Sequence, residues 1–280
     1  MTNHLDMTSA LSRHTGIKLQ LLDLGGLRGD EAYFFRGHNR GTKSNPNPVH
    51  RHRDLKLISA LIEHPRHGLL LYEVGGPPDP EKHWPPAVDE VFPYTYRPEH
   101  RLDNAIAAAG HDIRDIQGVI IGHLHTDHAG GLEFFRGTDV PIYVHEEELK
   151  NAFFVEATGQ DSGFTPHCLD ISFNWQPIGE AHVELFRGIE LLHTPGHTPG
   201  LMGLLVHLDQ TGPLYFASDH LIFEENLDGP PLGWLMHNDH AWHESRRRIK
   251  RLVQSRDAQI IYGHDPVNFE RFAPAPYVHA

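Results

Sequence analysis

Residues 118–128 of the chain read Gly-Val-Ile-Ile-Gly-His-Leu-His-Thr-Asp-His. The short apolar, β-branched run between Gly118 and Gly122 predicts a buried strand. The segment Ala-Gly-Gly-Leu-Glu-Phe-Phe that follows can open a helix. Because α/β folds place their sites on loops at the carboxyl ends of core strands, a metal site is predicted here. Its first side chains are His123, His125, Asp127 and His128.

Three further residues of the same chemical kind stand downstream. His197 lies in Thr-Pro-Gly-His, Asp219 follows Tyr-Phe-Ala-Ser, and His264 lies in Ile-Ile-Tyr-Gly-His-Asp. Imidazole nitrogens and carboxylate oxygens are ligands that zinc and similar divalent ions accept, so no cysteine is needed. Seven such groups are too many for one tetrahedral ion, but they suit two ions that share a bridging carboxylate. The set predicts a dinuclear hydrolytic centre.

Three segments carry a resemblance to a known family. Residues 122–131, 191–200 and 260–265 contain the ligand-type residues in an order that resembles the signature of the metallo-β-lactamase superfamily. Within it, the chain is most similar to the lactonases that open N-acyl homoserine lactones, over roughly residues 55–270. The resemblance implies an α/β fold of the αββα type, in which two mostly antiparallel sheets form a sandwich with outer helices. The order of strands and helices along the chain fits the same fold.

The resemblance also implies which residue holds which ion. The first ion would be held by three histidines, namely His123, His125 and His197. The second would be held by Asp127, His128 and His264, and Asp219 would bridge the two. Zinc is the expected metal, although manganese, iron and cobalt accept the same ligands.

Two neighbouring cations allow hydrolysis without a covalent intermediate. They lower the pKa of a shared water towards neutrality, and the resulting metal-bound hydroxide attacks a carbonyl that one ion polarises. The other ion can receive the alkoxide or amide nitrogen as a ring opens. Asp127 is expected to orient the water in addition to binding metal. This reaction needs no serine or cysteine nucleophile, and no Gly-x-Ser-x-Gly motif is present. The ligand set predicts a zinc-dependent hydrolase.

The sequence departs from the lactonase pattern at two places. Those enzymes usually carry a tyrosine three residues after the bridging aspartate, where this chain has Ile222. An isoleucine cannot donate a hydrogen bond, so His220 is the candidate catalytic replacement, with a packing role as the alternative. A strand that usually ends in Asp-Thr-Gly ends here in Glu73-Val-Gly, so a side chain that supports a ligand is altered as well.

Several substrates and one non-catalytic role are compatible with these residues. The leading prediction is a small cyclic ester of the acyl homoserine lactone type. The departure at Ile222 leaves open a γ-lactam hydrolase acting on a compact or aromatic bicyclic ring. Glyoxalase-II-like thioester hydrolysis and a metal-binding scaffold are the remaining alternatives. Flat aromatic side chains are predicted to rim the site. They are Phe34, Phe35, Trp84, Phe92, Tyr94, Tyr96, Phe153, Phe154, Trp234 and Trp242.

Composition restricts the partners. The 280 residues carry a formal net charge of −13, which argues against a nucleic-acid partner because phosphate binding needs a positive surface. The basic run 246–251 reads instead as the solvated face of a helix. No apolar stretch is long enough to span a membrane, and the amino terminus lacks the pattern of a secretory signal. With one cysteine, Cys168, the chain is predicted to be cytoplasmic.

The chain is expected to form one hydrolase domain over 17–280, preceded by a loosely ordered terminus at 1–16. A polar loop is predicted at 25–53, and it is a candidate surface for a homodimer. A hairpin is predicted around 65–68, and a proline-rich covering loop at 75–98. Helices are predicted at 99–109, 146–155 and 239–254. Strands are predicted at 17–24, 118–122, 141–145, 181–187, 189–193, 201–208, 214–218 and 258–262.

Overall fold

The computed structural model of the chain describes residues 15–160, 163–273 and 278–280. Within these ranges, twelve strands form two sheets. The first sheet contains β1 (Lys18–Asp30), β2 (His52–His64), β3 (Gly68–Tyr72), β4 (Tyr94–Thr95), β5 (Ile116–Ile120), β6 (Ile142–His145) and β7 (Trp175–Ile178). The second contains β8 (His182–Phe186), β9 (Ile189–His193), β10 (Met202–Val206), β11 (Leu214–Phe216) and β12 (Gln259–Ile261).

The strand order is β4-β1-β2-β3-β5-β6-β7 in the first sheet and β12-β11-β10-β9-β8 in the second. Most neighbours are antiparallel, but β3, β5, β6 and β7 pair in parallel, and β11 pairs in parallel with β12. The inner faces of the sheets meet through side chains such as Tyr72 and Phe216, whose ring centroids lie 5.6 Å apart. The predicted two-sheet α/β sandwich is confirmed, with both sheets mixed.

The helices connect the strands or flank the sheets. They are α1 (Glu31–Phe34), α2 (Pro80–His83), α3 (Pro86–Asp89), α4 (Leu102–Ala108), α5 (Thr126–Ala129), α6 (Glu146–Thr158), α7 (Glu225–Asp228), α8 (Asp239–Arg256) and α9 (Pro266–Phe272). Short 3₁₀ helices span Pro98–His100, Ile113–Asp115, Gly130–Phe135, Pro166–Cys168 and Ser218–His220. None of the helices in the described ranges is long and apolar enough to cross a membrane.

Two strands next to the site have nearly continuous apolar sequence, namely β5, which leads into His123, and β10, which follows the loop of His197. In β5, four of the five residues are buried, and all five residues of β10 are buried. Strands covered on both faces lack the alternation of polar and apolar residues that marks a half-exposed sheet. The hairpin predicted around 65–68 joins β2 to β3, and Gly68 there has a φ of +71°, which favours glycine.

The predicted polar loop 25–53 is shorter than expected. Strand β1 continues to Asp30, because Gly26 and Gly29 pair with Lys56 and Arg53 of β2. A Cβ on Gly26 would lie 2.4 Å from the Leu55 carbonyl oxygen, so the strands approach too closely for a side chain. Glycines that look like turn residues are therefore strand residues here.

Further differences concern short elements and the basic run. Strand β7 and helix α9 were not predicted from the sequence. The run at 246–251 lies on α8, but only part of it is solvated: Arg246 donates to the carbonyls of Asn226 and Gly229, and Arg248 donates to the His193 carbonyl. These two arginines join α8 to α7, to the residue after it and to the end of β9. Cys168 is a free, buried cysteine.

The chain is described from Thr15 onward, so most of the terminus predicted to be loosely ordered lies outside the described residues. Thr15 and Gly16 donate backbone hydrogen bonds to the Asp209 carboxylate at 2.7 and 3.0 Å. The division into a terminus at 1–16 and a domain at 17–280 stays a prediction, as does the homodimer.

Candidate metal centre

Residues 118–128 lead into the floor of the candidate site. Strand β5 ends at Ile120, and Gly122 starts the loop that carries His123 to His128. A Cβ on Gly122 would lie 2.4 Å from Oε1 of Glu73, so a side chain at this position would displace the Glu73 carboxylate. Helix α5 begins inside the stretch at Thr126 and carries Asp127 and His128. The ring of His128 lies beside that of His123, with centroids 4.1 Å apart.

The other ligand-type residues arrive from the second sheet. His197 lies on the loop between β9 and β10, Asp219 on the 3₁₀ helix after β11, and His264 directly after β12. Because β11 and β12 run parallel, their carboxyl ends meet at the same edge of the sheet. All seven predicted ligand residues are thereby brought to one edge of the sandwich.

Three histidines form the first group. The ring nitrogens of His123, His125 and His197 include atoms that all lie within 4.8 Å of one another. Nε2 of His197 is 3.1 Å from Nδ1 of His125. Nδ1 of His197 donates to the Leu235 carbonyl at 2.8 Å, so Nε2 is left with its lone pair towards the group. We name these residues the three-histidine group.

Asp127, His128 and His264 form the second group. The Nε2 atoms of His128 and His264 are 3.1 Å apart, and each is 3.5 Å from Oδ2 of Asp127. Nδ1 of His264 donates to the Lys56 carbonyl at 2.8 Å, which fixes its tautomer in the same way as in His197. We name these residues the aspartate group.

Asp219 faces both groups. Its Oδ1 is 2.8 Å from Nε2 of His264 and 3.2 Å from Nε2 of His128. Its Oδ2 points the other way and is 3.5 Å from Nε2 of His197. A carboxylate with one oxygen on each side is what a bridging ligand requires.

The donor set fits divalent metal ions. Nε2 of His123 is buried and has no hydrogen-bond partner among the described residues. An unpartnered buried nitrogen is unfavourable unless another group satisfies it, and a cation at the three-histidine group would do so. Imidazole nitrogens with buried carboxylates beside them are the donors that zinc-like ions take.

The site separates its histidines electrostatically. Burial lowers the pKa of His123 well below its ordinary value and lowers the pKa of His197 to about 4, so both rings are neutral at pH 7. Burial also acts on His128, but the carboxylates of Asp127, Asp219 and Glu73 outweigh it and raise its pKa well above the ordinary value. Burial alone would raise the pKa of Asp127, yet His128 and His264 lower it to about 2. The rings of His123 and His197 are therefore neutral, whereas buried carboxylates raise the pKa of both His128 and His264.

Glu73 supports this group from below. Its Oε2 lies 3.4 Å from Nδ1 of His128, and its Oε1 accepts a hydrogen bond from the Ser218 hydroxyl at 3.0 Å. The backbone at Glu73 has a φ of +61°, and at Ser218 a φ of +46°, both in the region that favours glycine. The sequence marked Glu73 only as a departure from a pattern; its contacts link the end of β3 to two ligand loops.

His220 lies beneath the site and does not line the cavity in front of it. Its Nδ1 donates to the Thr194 carbonyl at 3.2 Å, and its ring stacks on Trp242 with centroids 5.2 Å apart. Burial lowers its pKa to about 3, so the ring is neutral. These contacts agree with the packing role for His220. Its catalytic role stays a prediction, and its side chain does not line the cavity.

A cavity of about 680 Å³ opens onto the two groups. It reaches His125, Asp127 and His264 on the floor, and Ile222 is part of its wall. No lysine or arginine is among the described residues that line it. Of the ten aromatic residues predicted at the rim, five line the cavity: Phe34, Trp84, Phe92, Phe154 and Trp234. The other five do not: Phe35, Tyr94, Tyr96, Phe153 and Trp242.

Two lining aromatic residues were missed by sequence reasoning. Phe164 packs on the ring of His125 with centroids 4.5 Å apart, and Tyr33 packs edge-on against Phe92 with centroids 4.8 Å apart. Tyr33 stands beside the predicted Phe34 in the sequence, but Phe164 lies in a turn-rich segment with no pattern that points to the site.

Comparison with known proteins agrees with the fold and the site. Residues 59–264 match the model of the metallo-beta-lactamase superfamily. The N-acyl homoserine lactonase AiiB of Agrobacterium fabrum is 30% identical over 269 residues, which cover 91% of this chain and 95% of that protein. The N-acyl homoserine lactonase AiiA of Bacillus thuringiensis subsp. kurstaki is 31% identical over 169 residues, 60% of this chain and 63% of that protein.

Solved structures show the same fold. An N-acyl homoserine lactone hydrolase with the product N-hexanoyl-L-homoserine at its metal centre has a TM-score of 0.80 at 24% identity, covering 94% of this chain and 98% of that one. AidC, a dizinc quorum-quenching lactonase, has a TM-score of 0.64 at 17% identity, covering 91% and 89%. The chain therefore belongs to the metallo-beta-lactamase superfamily, as its sequence predicted. Its fold and histidine-rich site are those of a hydrolase of that superfamily.

Proposed function

We propose that the chain is a dinuclear-zinc hydrolase that opens a small neutral cyclic ester, with an N-acyl homoserine lactone as the leading substrate type. The observation that carries the proposal is the convergence of seven ligand-type residues from four separate loops at the floor of one cavity. The relatives named as N-acyl homoserine lactonases support the choice of ester.

The residues of the site have distinct tasks in this reaction. Two bound divalent ions would supply a Lewis acid for the carbonyl and make water acidic enough to react near neutral pH. The backbone carbonyls of Leu235 and Lys56 hold His197 and His264 with Nε2 facing the site. Asp127 is the most accessible carboxylate of the site, with a side chain 16% exposed compared with 6% for Asp219. Its carboxylate can therefore accept a hydrogen bond from the attacking water.

The cavity wall favours a neutral, apolar substrate. Phe34, Trp84 and Ile222 contribute apolar surface next to the ligand residues. A glutathione thioester carries carboxylates that need cationic partners, and the described lining has no lysine or arginine. Glyoxalase-II-like activity is therefore disfavoured. The γ-lactam alternative keeps one supporting observation: Ile222 stands in the wall where the lactonases usually offer a tyrosine hydroxyl.

A substrate panel tests the proposal. The purified protein would be assayed with short- and long-chain N-acyl homoserine lactones, γ-butyrolactone, a benzo-fused γ-lactam and a glutathione thioester. We expect kcat/KM for an acyl homoserine lactone to exceed that for the thioester by at least about 100-fold, because desolvated carboxylates without partners cost several kcal/mol.

The His123→Ala protein is the control for contaminating esterases, since it lacks a residue of the three-histidine group but keeps the cavity wall. Faster turnover of the thioester than of every lactone would reject the proposed substrate class. Preference for the lactam would reject the lactone in favour of the second candidate.

A further inference from the structure

A buried carboxylate outside the two ligand groups lies under the site. Glu148 is in the first turn of α6, and its side chain is fully buried. Its neighbours Glu146 and Glu147 on the same turn are exposed, and both form ion pairs with Lys150. No such ion pair to Glu148 occurs within the described part of the chain. Burial of a carboxylate without a cation is unfavourable, so hydrogen bonds must compensate for it.

Two of those hydrogen bonds come from backbone amides of different ligand loops. Oε1 of Glu148 accepts a hydrogen bond from the Leu124 amide at 3.0 Å, and Oε2 accepts one from the Gly200 amide at 3.1 Å. Leu124 lies between His123 and His125 in the sequence, and Gly200 is three residues after His197. One carboxylate thus joins the two loops that supply the three-histidine group.

The loop at Gly200 is held tightly against the helix. A Cβ on Gly200 would lie 2.1 Å from the backbone nitrogen of Glu148 and 2.5 Å from its Cα. The absence of a side chain at this position allows the loop to approach the first turn of α6. At this distance the Gly200 amide reaches the Glu148 carboxylate.

We propose that Glu148 is a positioning residue of the metal centre, which holds the loops of His123, His125 and His197 in the arrangement that binds the first ion. The inference rests on the dinuclear centre proposed above. It assigns Glu148 to the three-histidine group, because both amides belong to loops that supply this group, whereas no hydrogen bond from Glu148 to a residue of the aspartate group is found among the described residues.

The effect of removing the carboxylate is therefore expected to be selective. In Glu148→Gln the side chain keeps its length and one acceptor oxygen, but its NH₂ group faces one of the two backbone amides and cannot accept from it. Loss of a group that orients metal ligands typically weakens metal binding by about 10- to 100-fold. We expect this loss at the three-histidine group and no comparable loss at the aspartate group.

Two variants, each with one ligand group removed, allow metal binding at the other group to be measured alone. In His264→Ala the three-histidine group remains intact, and in His197→Ala the aspartate group remains intact. The Zn²⁺ dissociation constant of each background would be measured by competition with a chromophoric chelator, with and without Glu148→Gln. We expect about 10- to 100-fold weaker binding in the first background and a change within about twofold in the second. Adding Glu148→Gln to the His264→Ala protein should also change the absorption spectrum of bound Co²⁺.

Glu147→Gln is the matched control, because it removes an exposed carboxylate from the same helical turn and should leave both constants unchanged. If Glu148→Gln does not fold, Glu148→Asp carries the same prediction, since its charge is kept but its reach is shortened. Equal weakening in both backgrounds, or none in the first, would overturn the role of Glu148. Failure of the His264→Ala protein itself to bind zinc would overturn the metal centre, and the inference with it.

Discussion

Asp219→Ala is expected to abolish hydrolysis and to lower the metal content by about one equivalent. Asp219 is the residue whose two oxygens face different groups, with Oδ1 2.8 Å from His264 and Oδ2 3.5 Å from His197. Without it, the ions lose their shared ligand and the arrangement around the attacking water. Lewis-acid stabilisation amounts to several kcal/mol, so kcat/KM should fall by about 1,000-fold or more.

Elemental analysis and steady-state kinetics on the same preparation would check this result. Asp228→Ala is the control, because Asp228 is 81% exposed and pairs only with Lys250 among the ion pairs of the described residues. It should leave metal content and kinetics unchanged. An Asp219→Ala protein that keeps two equivalents of metal and a substantial rate would contradict the bridging role.

His128→Ala is expected to remove the second ion while the three-histidine group keeps the first. His128 lies within 3.5 Å of carboxylate oxygens from Asp127, Asp219 and Glu73. Its loss leaves these buried carboxylates with fewer cationic or donor partners, so the apo protein should also unfold at a lower temperature. We expect one bound equivalent and a fall in kcat/KM of at least about 100-fold, since one of two catalytic ions is lost.

The test is metal stoichiometry together with thermal unfolding followed with and without added zinc. His240→Ala provides the control: its side chain is 84% exposed and contacts Glu244 on the same helix. It should behave as the unmodified protein. Full retention of both ions after His128→Ala would show that the aspartate group is assigned incorrectly.

Much of the site could be predicted because its signals are local. His123, His125 and His128 follow a buried strand within a few residues, and a strand that ends in a polar loop is visible in the sequence. The distant residues His197 and His264 also follow strands, so the two-sheet fold brings them to the same edge. The αββα architecture could be predicted from the order of strands and helices together with the family resemblance.

Features that depend on tertiary packing could not be predicted. Gly26 and Gly29 resemble turn residues, but their lack of side chains serves the close pairing of β1 with β2. Glu148 stands in a run of three glutamates that reads as a solvated helix face, and only the folded chain shows that the third is buried. His220 is next to a predicted ligand, yet the turn after β11 directs its ring onto Trp242 and away from the cavity.

The direction of the aromatic side chains also depends on tertiary packing. Neighbours in the sequence separate in the fold: Phe34 lines the cavity, whereas Phe35 packs on Phe223 behind the wall, with centroids 5.5 Å apart. A sequence gives the side-chain type, but the direction of a side chain from a four-residue helix depends on its packing partners.

The central claim is that two divalent ions, held by these seven side chains, are required for hydrolysis. The most direct test is titration of verified metal-free protein with Zn²⁺, with lactonase activity and bound metal measured at each point. We expect negligible activity without metal and a rise to a plateau at two equivalents per chain. Full activity in the metal-free protein, or saturation of binding without any gain in rate, would contradict it.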